Sequence, residues 1–135
     1  MKEVVLPRAT DELAAKVHTS KEWLDEYIGL LESRRQLIVY GPPGTGKTFV
    51  AREVARHVAG DNVRIVQFHP SYAYEDFFEG LRPVPAARTV TYAVMPGPLS
   101  LLAQAAADDP TRPYVLIIDE INRADIAKVF GELYY

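Results

Sequence analysis

Cysteine is absent from the 135 residues, which excludes a disulfide framework and thiolate metal sites and fits a reducing compartment. An excess of positive charge is absent too. Fifteen Lys and Arg against eighteen Asp and Glu leave a net charge of −3 and a pI near 5.6, so no general basic field holds nucleic acid by neutralising phosphates. Any DNA contact has to be local. No apolar run approaches the roughly 20 residues that span a bilayer, and the start MKEVVLPRATDE has neither the apolar core nor the small-residue cleavage site of a signal peptide. His18, His57 and His69 show no metal-ligand spacing, and there is no internal repeat or low-complexity segment. What is present, 48% hydrophobic and 24% charged residues, is the composition of one globular domain with a real core. The expectation is a cytoplasmic protein with no membrane partner.

The order of residue patterns alternates helix and strand. After a short extended start ended by Pro7, Thr10 and Asp11 cap a helix to about His18. TSKE at Thr19 to Glu22 fits a capping box, and the helix it opens carries Trp23, Leu24, Tyr27, Ile28, Leu30 and Leu31 on one face, with Arg34 and Arg35 at its positive-favouring end. QLIVY, Gln36 to Tyr40, is β-rich and apolar, and predicts a strand buried on both faces. A second helix from Lys47 places Val50, Val54 and Val58 beside Ala51, Ala55 and Ala59 and ends at Gly60. Asn62 to Phe68 and Tyr114 to Asp119 predict two further strands, and Leu99 to Ala107 a helix. Such alternation indicates an α/β fold with a parallel sheet and flanking helices.

Between the first strand and the second helix stands Gly41-Pro42-Pro43-Gly44-Thr45-Gly46-Lys47-Thr48, which fits G-x-x-x-x-G-K-S/T. Gly41, Gly44 and Gly46 let the backbone curl so that its N–H groups face phosphate oxygens, while the next helix offers its positive N-terminus. Lys47 reaches the β- and γ-phosphates, and the Thr48 hydroxyl ligates Mg²⁺. A Gly/Pro-rich turn before a helix would share the composition, but not the strand, lysine, hydroxyl and helix in register.

The third strand ends in two acids. In a parallel sheet, ligands gather at the carboxyl ends of the strands. Asp119 is placed to hold Mg²⁺, and Glu120 to orient and polarise the water that attacks the γ-phosphate. Two adjacent acids do not both face inward on a regular strand, so the chain has to leave the sheet at Glu120.

GPPGTGKT together with LIIDEIN resembles the Walker A and Walker B pair of the AAA+ ATPases. VQFHPSYAYEDFFEGLRPV and DEINRADIAKVFGELYY narrow the likeness to the McrB family, the motor subunits of modified-cytosine restriction systems. The resemblance runs from about Trp23 to the end. It implies nucleotide contacts from Gly41 through Phe49, metal at Thr48 and Asp119, catalysis by Glu120 with Lys47, and Asn122 and Arg123 near the nucleotide or a subunit boundary. It further implies a homo-oligomeric ring, a nuclease partner, Mg²⁺, and ATP or GTP as substrate, with DNA contact indirect or through other regions. DEINRA is also similar to the MoxR-like branch, whose members remodel proteins; SYAYEDF favours the restriction branch. A third reading is a nucleotide-binding module that turns over poorly without a neighbouring subunit's charge.

A core resembling this family has five parallel strands, of which three are expected here, so the chain reads as part of a longer motor domain. Residues 1–35 form its helical lead-in and 36–135 a partial nucleotide-binding core. The strand Gln36 to Tyr40 would lack its usual sheet neighbours, and Tyr134 and Tyr135 end a helix mid-course. Arg88 to Gly97 forms one strand or a small hairpin. The resemblance sets Tyr72, Tyr74, Phe77, Phe78 and Arg88 toward a ring pore, whereas aromatics in short amphipathic pieces, like Trp23, more often pack.

Overall fold

The computed structural model describes residues 3–134. Its elements run α1 (Asp11–Val17), α2 (Lys21–Arg34), α3 (Lys47–Ala59), β1 (Val63–Gln67), α4 (Tyr74–Phe77), β2 (Glu79–Ala86), β3 (Thr89–Pro96), α5 (Pro98–Asp108), β4 (Val115–Asp119) and α6 (Ile126–Phe130), with 3₁₀ turns at Ile121–Arg123 and Gly131–Tyr134. Tyr134 falls in the second of these turns; Tyr135 lies outside the described residues. Two compact units emerge, Met1–Val63 with Asp109–Ile117, and Arg64–Asp108 with Ile118–Tyr135.

The first unit is built on three helices. Thr10, extended at φ −111° and ψ 161°, accepts the Leu13 N–H at 3.1 Å and so starts α1, which closes on a left-handed His18. α2 begins one residue later than the capping box predicts. Its N-cap is Ser20, whose Oγ accepts the Trp23 N–H at 3.2 Å, and this shift leaves Glu22 one position short of the place from which a glutamate reaches back to the cap. Leu13 and Val17, Leu24 and Ile28, and Val54 and Val58 each repeat at four residues, so three helices bring one apolar stripe apiece into a common core with Leu6, Ala9 and Ala59. Polar ties fix the lead-in. The Glu32 carboxylate accepts the Leu6 N–H at 2.7 Å and pairs with Arg8 at 2.9 Å, Asp25 accepts the Ala9 N–H at 2.7 Å, and the buried Glu53 of α3 pairs with Lys16 of α1 at 2.9 Å. His57 is a helix-end residue whose Nε2 lies 2.7 Å from the Arg8 carbonyl.

The expected strand at Gln36 to Tyr40 does not form. The segment belongs to no sheet, and Ile38, Val39 and Tyr40 are 77%, 40% and 89% exposed rather than buried on both faces. The physical reason is the one its position implies: β-propensity needs a ladder partner, and none of β1 to β4 lies beside it. Two of the three expected core strands are therefore present as strands. β1 and β4 pair, and the Val115 N–H meets the Asn62 carbonyl at 2.9 Å while the Phe68 N–H meets the Asp119 carbonyl at 2.9 Å. Both strands advance together between those bonds, so the pair is parallel, as the α/β reading requires.

The second unit packs aromatics. Phe68, buried directly after β1, stacks on Tyr72 with ring centroids 4.9 Å apart and meets Phe77 edge-on at 5.5 Å; Phe130 of α6 closes on Phe77 at 5.3 Å. Tyr74 lies against Phe78 at 5.5 Å. The aromatics set against a pore by resemblance thus pack, as their spacing predicts. The short amphipathic piece YEDFFEGL is helical only to Phe77, since Glu79 begins β2. β2 and β3 form an antiparallel hairpin with Ala86 opposite Thr89 and Ala87-Arg88 as the turn, so Arg88 to Gly97 contributes one strand of a hairpin rather than a whole one. At its base a Cβ on Gly97 would overlap the Phe77 backbone, so only glycine fits that close approach.

Candidate functional site

In the first unit, Gly41 to Gly46 form an exposed loop leading into α3. Gly44 and Gly46 sit at φ +77° and +81°, with nothing within 4 Å of where a Cβ would stand. Glycine is therefore demanded by the backbone angle and not by crowding. Gly46 is also the N-cap of α3, so no side chain caps the helix, and its first turn holds no acid. Uncapped N–H groups and the positive end of a helix dipole together favour an anion. The Lys47 ammonium folds back to donate to the carbonyls of Gly41 at 2.9 Å and Pro42 at 2.7 Å, and the Thr45 hydroxyl donates to the Pro42 carbonyl at 2.9 Å. The loop's carbonyls thus hold the cation at its mouth. Lys47 and Thr48 are half-buried, while Pro42, Pro43, Thr45 and Phe49 are exposed.

The acids belong to the second unit. Asp119 is the half-buried last residue of β4, its carbonyl held by the Phe68 N–H. Glu120 is exposed and left-handed, at φ 57° and ψ 43°, and its carbonyl accepts the Arg123 N–H at 3.0 Å to open the 3₁₀ turn Ile121–Arg123. The chain does leave the sheet at Glu120, in a backbone conformation that costs a non-glycine residue of the order of 1–2 kcal/mol. Asn122 and Arg123 are exposed on that turn, and Asp125 caps α6 through the Lys128 N–H at 3.2 Å.

Among the described residues no group of three or more His, Asp or Glu side chains is placed to enclose a metal, and no helix is long and apolar enough to cross a membrane. Mg²⁺ is carried largely by substrate phosphates and water, so a site for it needs only one or two oxygen donors from the protein, of the kind that a threonine hydroxyl or an aspartate carboxylate supplies. A groove of about 250 Å³, lined by Trp23, Glu26, Tyr27, Leu30 and Leu37–Tyr40, opens in the first unit, and Trp23 packs on Tyr27 with ring centroids 5.5 Å apart while staying 45% exposed. Sequence reasoning missed one exposed apolar surface, the face of the hairpin that carries Tyr92; the alternation in TVTYAV is the signal that reveals it.

A glycine loop gripping its own lysine and opening an uncapped helix, in an α/β fold with a parallel strand pair, has the form of a P-loop nucleotide-binding protein, and the family match places it in the AAA+ class. The chain belongs to the family described as AAA domain (dynein-related subfamily), whose pattern it matches over residues 36–134. It is 45% identical over 107 residues to the Type IV methyl-directed restriction enzyme EcoKMcrB subunit of Escherichia coli (strain K12), an alignment covering 76% of this chain and 22% of that protein. It is 31% identical over 156 residues to the Type II restriction enzyme BsuMI component YdiS of Bacillus subtilis (strain 168), covering 96% of this chain and 45% of that protein. A shorter stretch of 36 residues, 27% of the chain, is 44% identical to the 26S proteasome regulatory subunit 6B homolog of Dictyostelium discoideum and covers 9% of it. The chain thus spans less than half the length of the restriction relatives it matches. Within AAA+ it is of the McrB type.

Proposed function

We propose that this chain supplies the nucleotide-binding part of a ring-forming AAA+ motor that drives a nuclease partner in a cytoplasmic DNA restriction system. The observation that carries the proposal is the seat of Lys47 on the Gly41 and Pro42 carbonyls, at the mouth of a loop whose helix has an uncapped N-terminus. An entering triphosphate replaces those carbonyls as acceptor for the ammonium, and the N–H groups of Gly44 to Thr48 take the remaining phosphate oxygens. Gly41, Pro42, Pro43 and Phe49 flank the phosphates as further nucleotide contacts. Thr48 and Asp119 are the residues that would hold Mg²⁺, which would screen phosphate charge when nucleotide is bound. Glu120 accepts a proton from the attacking water, and Asn122 and Arg123 lie at the nucleotide or at a neighbouring subunit. Membership of the AAA+ family and likeness to restriction subunits support this reading.

Binding is tested by titrating the 135-residue chain with fluorescent ATP and GTP analogues in the presence of Mg²⁺. Removing two charge-assisted hydrogen bonds by Lys47→Ala is expected to weaken binding by about 100-fold. Glu120→Gln is expected to keep binding while losing turnover. Unchanged affinity in Lys47→Ala would sink the proposal; unchanged turnover in Glu120→Gln would remove the assigned base.

A further inference from the structure

The β2–β3 hairpin stands on α4 and α5, and the Gly97 N–H closes its base on the Phe78 carbonyl at 2.6 Å. The register sets Leu81 opposite Val94, Pro83 opposite Tyr92 and Pro85 opposite Val90, so six apolar side chains share one face. Leu81, Val90, Tyr92 and Val94 are 67%, 64%, 67% and 60% exposed, and no charge interrupts them. In an antiparallel pair every second residue turns its N–H and C=O away from the partner strand. Pro83 and Pro85, two apart and lacking N–H groups, occupy such outward positions on β2, which denies that edge to another strand. Val90, Tyr92 and Val94, their opposites, turn full N–H and C=O pairs outward, and among the described residues no strand lies beyond β3 in this sheet. One edge is closed and the other is open.

We propose that the outer edge of β3 is a docking site for an extended segment of a partner protein, apolar at alternate positions, which joins the hairpin as a third strand. Backbone hydrogen bonds supply the affinity and the alternate side chains, which extend the apolar face, supply the selection. Nucleic acid fits poorly: Arg82 is already paired to Asp76 at 2.6 Å, which leaves Arg88 at the turn as the one other cation of the hairpin. A second copy fits less well than a partner. Two hairpins joined edge to edge would present on the order of 1,000 Å² of bare apolar face, beyond the few hundred Å² usual for a single surface patch, whereas a partner's body arrives with its strand and covers it.

The probe is a fluorescein-labelled decapeptide of alternating valine and threonine, titrated into the 135-residue chain beside the same peptide with every amide N-methylated. The expected result is saturable binding at one peptide per chain, weakened at least about tenfold by N-methylation and by Tyr92→Pro, which places on β3 the block that β2 already carries. Replacing Pro83 and Pro85 together by Thr opens the second edge and should raise the stoichiometry to two, a gain that no misfolded variant would mimic. The proposal is overturned by absent or non-saturable binding, by equal binding of the N-methylated peptide or to Tyr92→Pro, or by a stoichiometry that stays at one in the double variant. Displacement of the peptide by a DNA duplex of about 20 base pairs would overturn it in favour of nucleic acid. Sedimentation as a dimer that Tyr92→Pro dissolves would overturn it in favour of a second copy.

Discussion

Glu120 offers a test of whether the strand end is shaped for its carboxylate. Three non-glycine residues among those described hold positive φ, namely His18 at 55°, Arg35 at 63° and Glu120 at 57°. His18 and Arg35 end α1 and α2, where a left-handed residue is the ordinary way to close a helix. Glu120 has no helix to close; it begins the 3₁₀ turn directly after β4. A non-glycine residue there costs about 1–2 kcal/mol, and glycine relieves that cost while adding about 0.5–1 kcal/mol of unfolded-state freedom. Glu120→Gly is therefore expected to stabilise the chain by about 0.5–1 kcal/mol. With roughly 2.1 cal/mol/K of unfolding entropy per residue, that is a rise in Tm of about 2–4 °C. Glu120→Gln and Glu120→Ala keep a Cβ in the left-handed region and should leave Tm within about 1 °C of the parent. Circular dichroism melts of the four proteins, with nucleotide hydrolysis measured in parallel, separate the two properties. The expected pattern is that all three variants lose turnover and only Glu120→Gly gains stability. A Tm for Glu120→Gly at or below that of Glu120→Ala would refute the strain argument, and with it the view that the backbone here is held for a side chain's sake.

Other expectations follow from the cores and the ion pairs. Phe77 is buried among Phe68, Tyr72 and Phe130, so Phe77→Ala should destabilise the second unit by about 3–5 kcal/mol; urea unfolding followed by tyrosine fluorescence measures it, and a change under 1 kcal/mol would deny the aromatic cluster its role. Val54→Ala, at a site 1% exposed in the three-helix core, should cost about 2–4 kcal/mol by the same measurement. Stability should also fall in acid. The Leu6 N–H holds the Glu32 carboxyl below its ordinary value of 4.5 with help from Arg8, and the Lys16 hydrogen bond does the same for Glu53. A carboxyl lowered on folding contributes stability that is fully present above its unfolded pKa and is lost as pH falls through the folded one. Urea midpoints should therefore be level above about pH 5 and decline below about pH 4.5, less steeply in Glu53→Gln; midpoints constant down to about pH 3 would contradict the pairing.

Much of the fold was legible because its causes are local. Thr10 at the head of an apolar i, i+4 pair, Gly60 after the last valine of α3, and a β-branched run before Asp119 each carry their own start or stop signal, and the corresponding elements stand where those signals lie. A one-residue error arose where the signal was duplicated. Thr19 and Ser20 are both good caps, and the sequence alone does not say which hydroxyl finds the N–H three residues on. β2 was hidden for a different reason. Pro83 and Pro85 demote a strand on sight, yet at alternate positions both face away from β3 and remove no ladder bond.

The candidate site divides along the same line. That the chain must turn out of the sheet at Glu120 follows from two adjacent acids on a strand, a constraint within three residues, and the left-handed φ of 57° meets it. Where the Lys47 ammonium rests was not legible, since that depends on which carbonyls a folded loop aims inward. Gln36 to Tyr40 shows the limit most plainly. Its residues have the same β-propensity as those of β4, yet β4 lies beside β1 and forms a strand, while Ile38 and Tyr40 stand 77% and 89% exposed. Propensity describes what a segment does when a partner ladder is at hand. The partner is a nonlocal fact, carried by other residues, and a pattern read along five positions contains no trace of it.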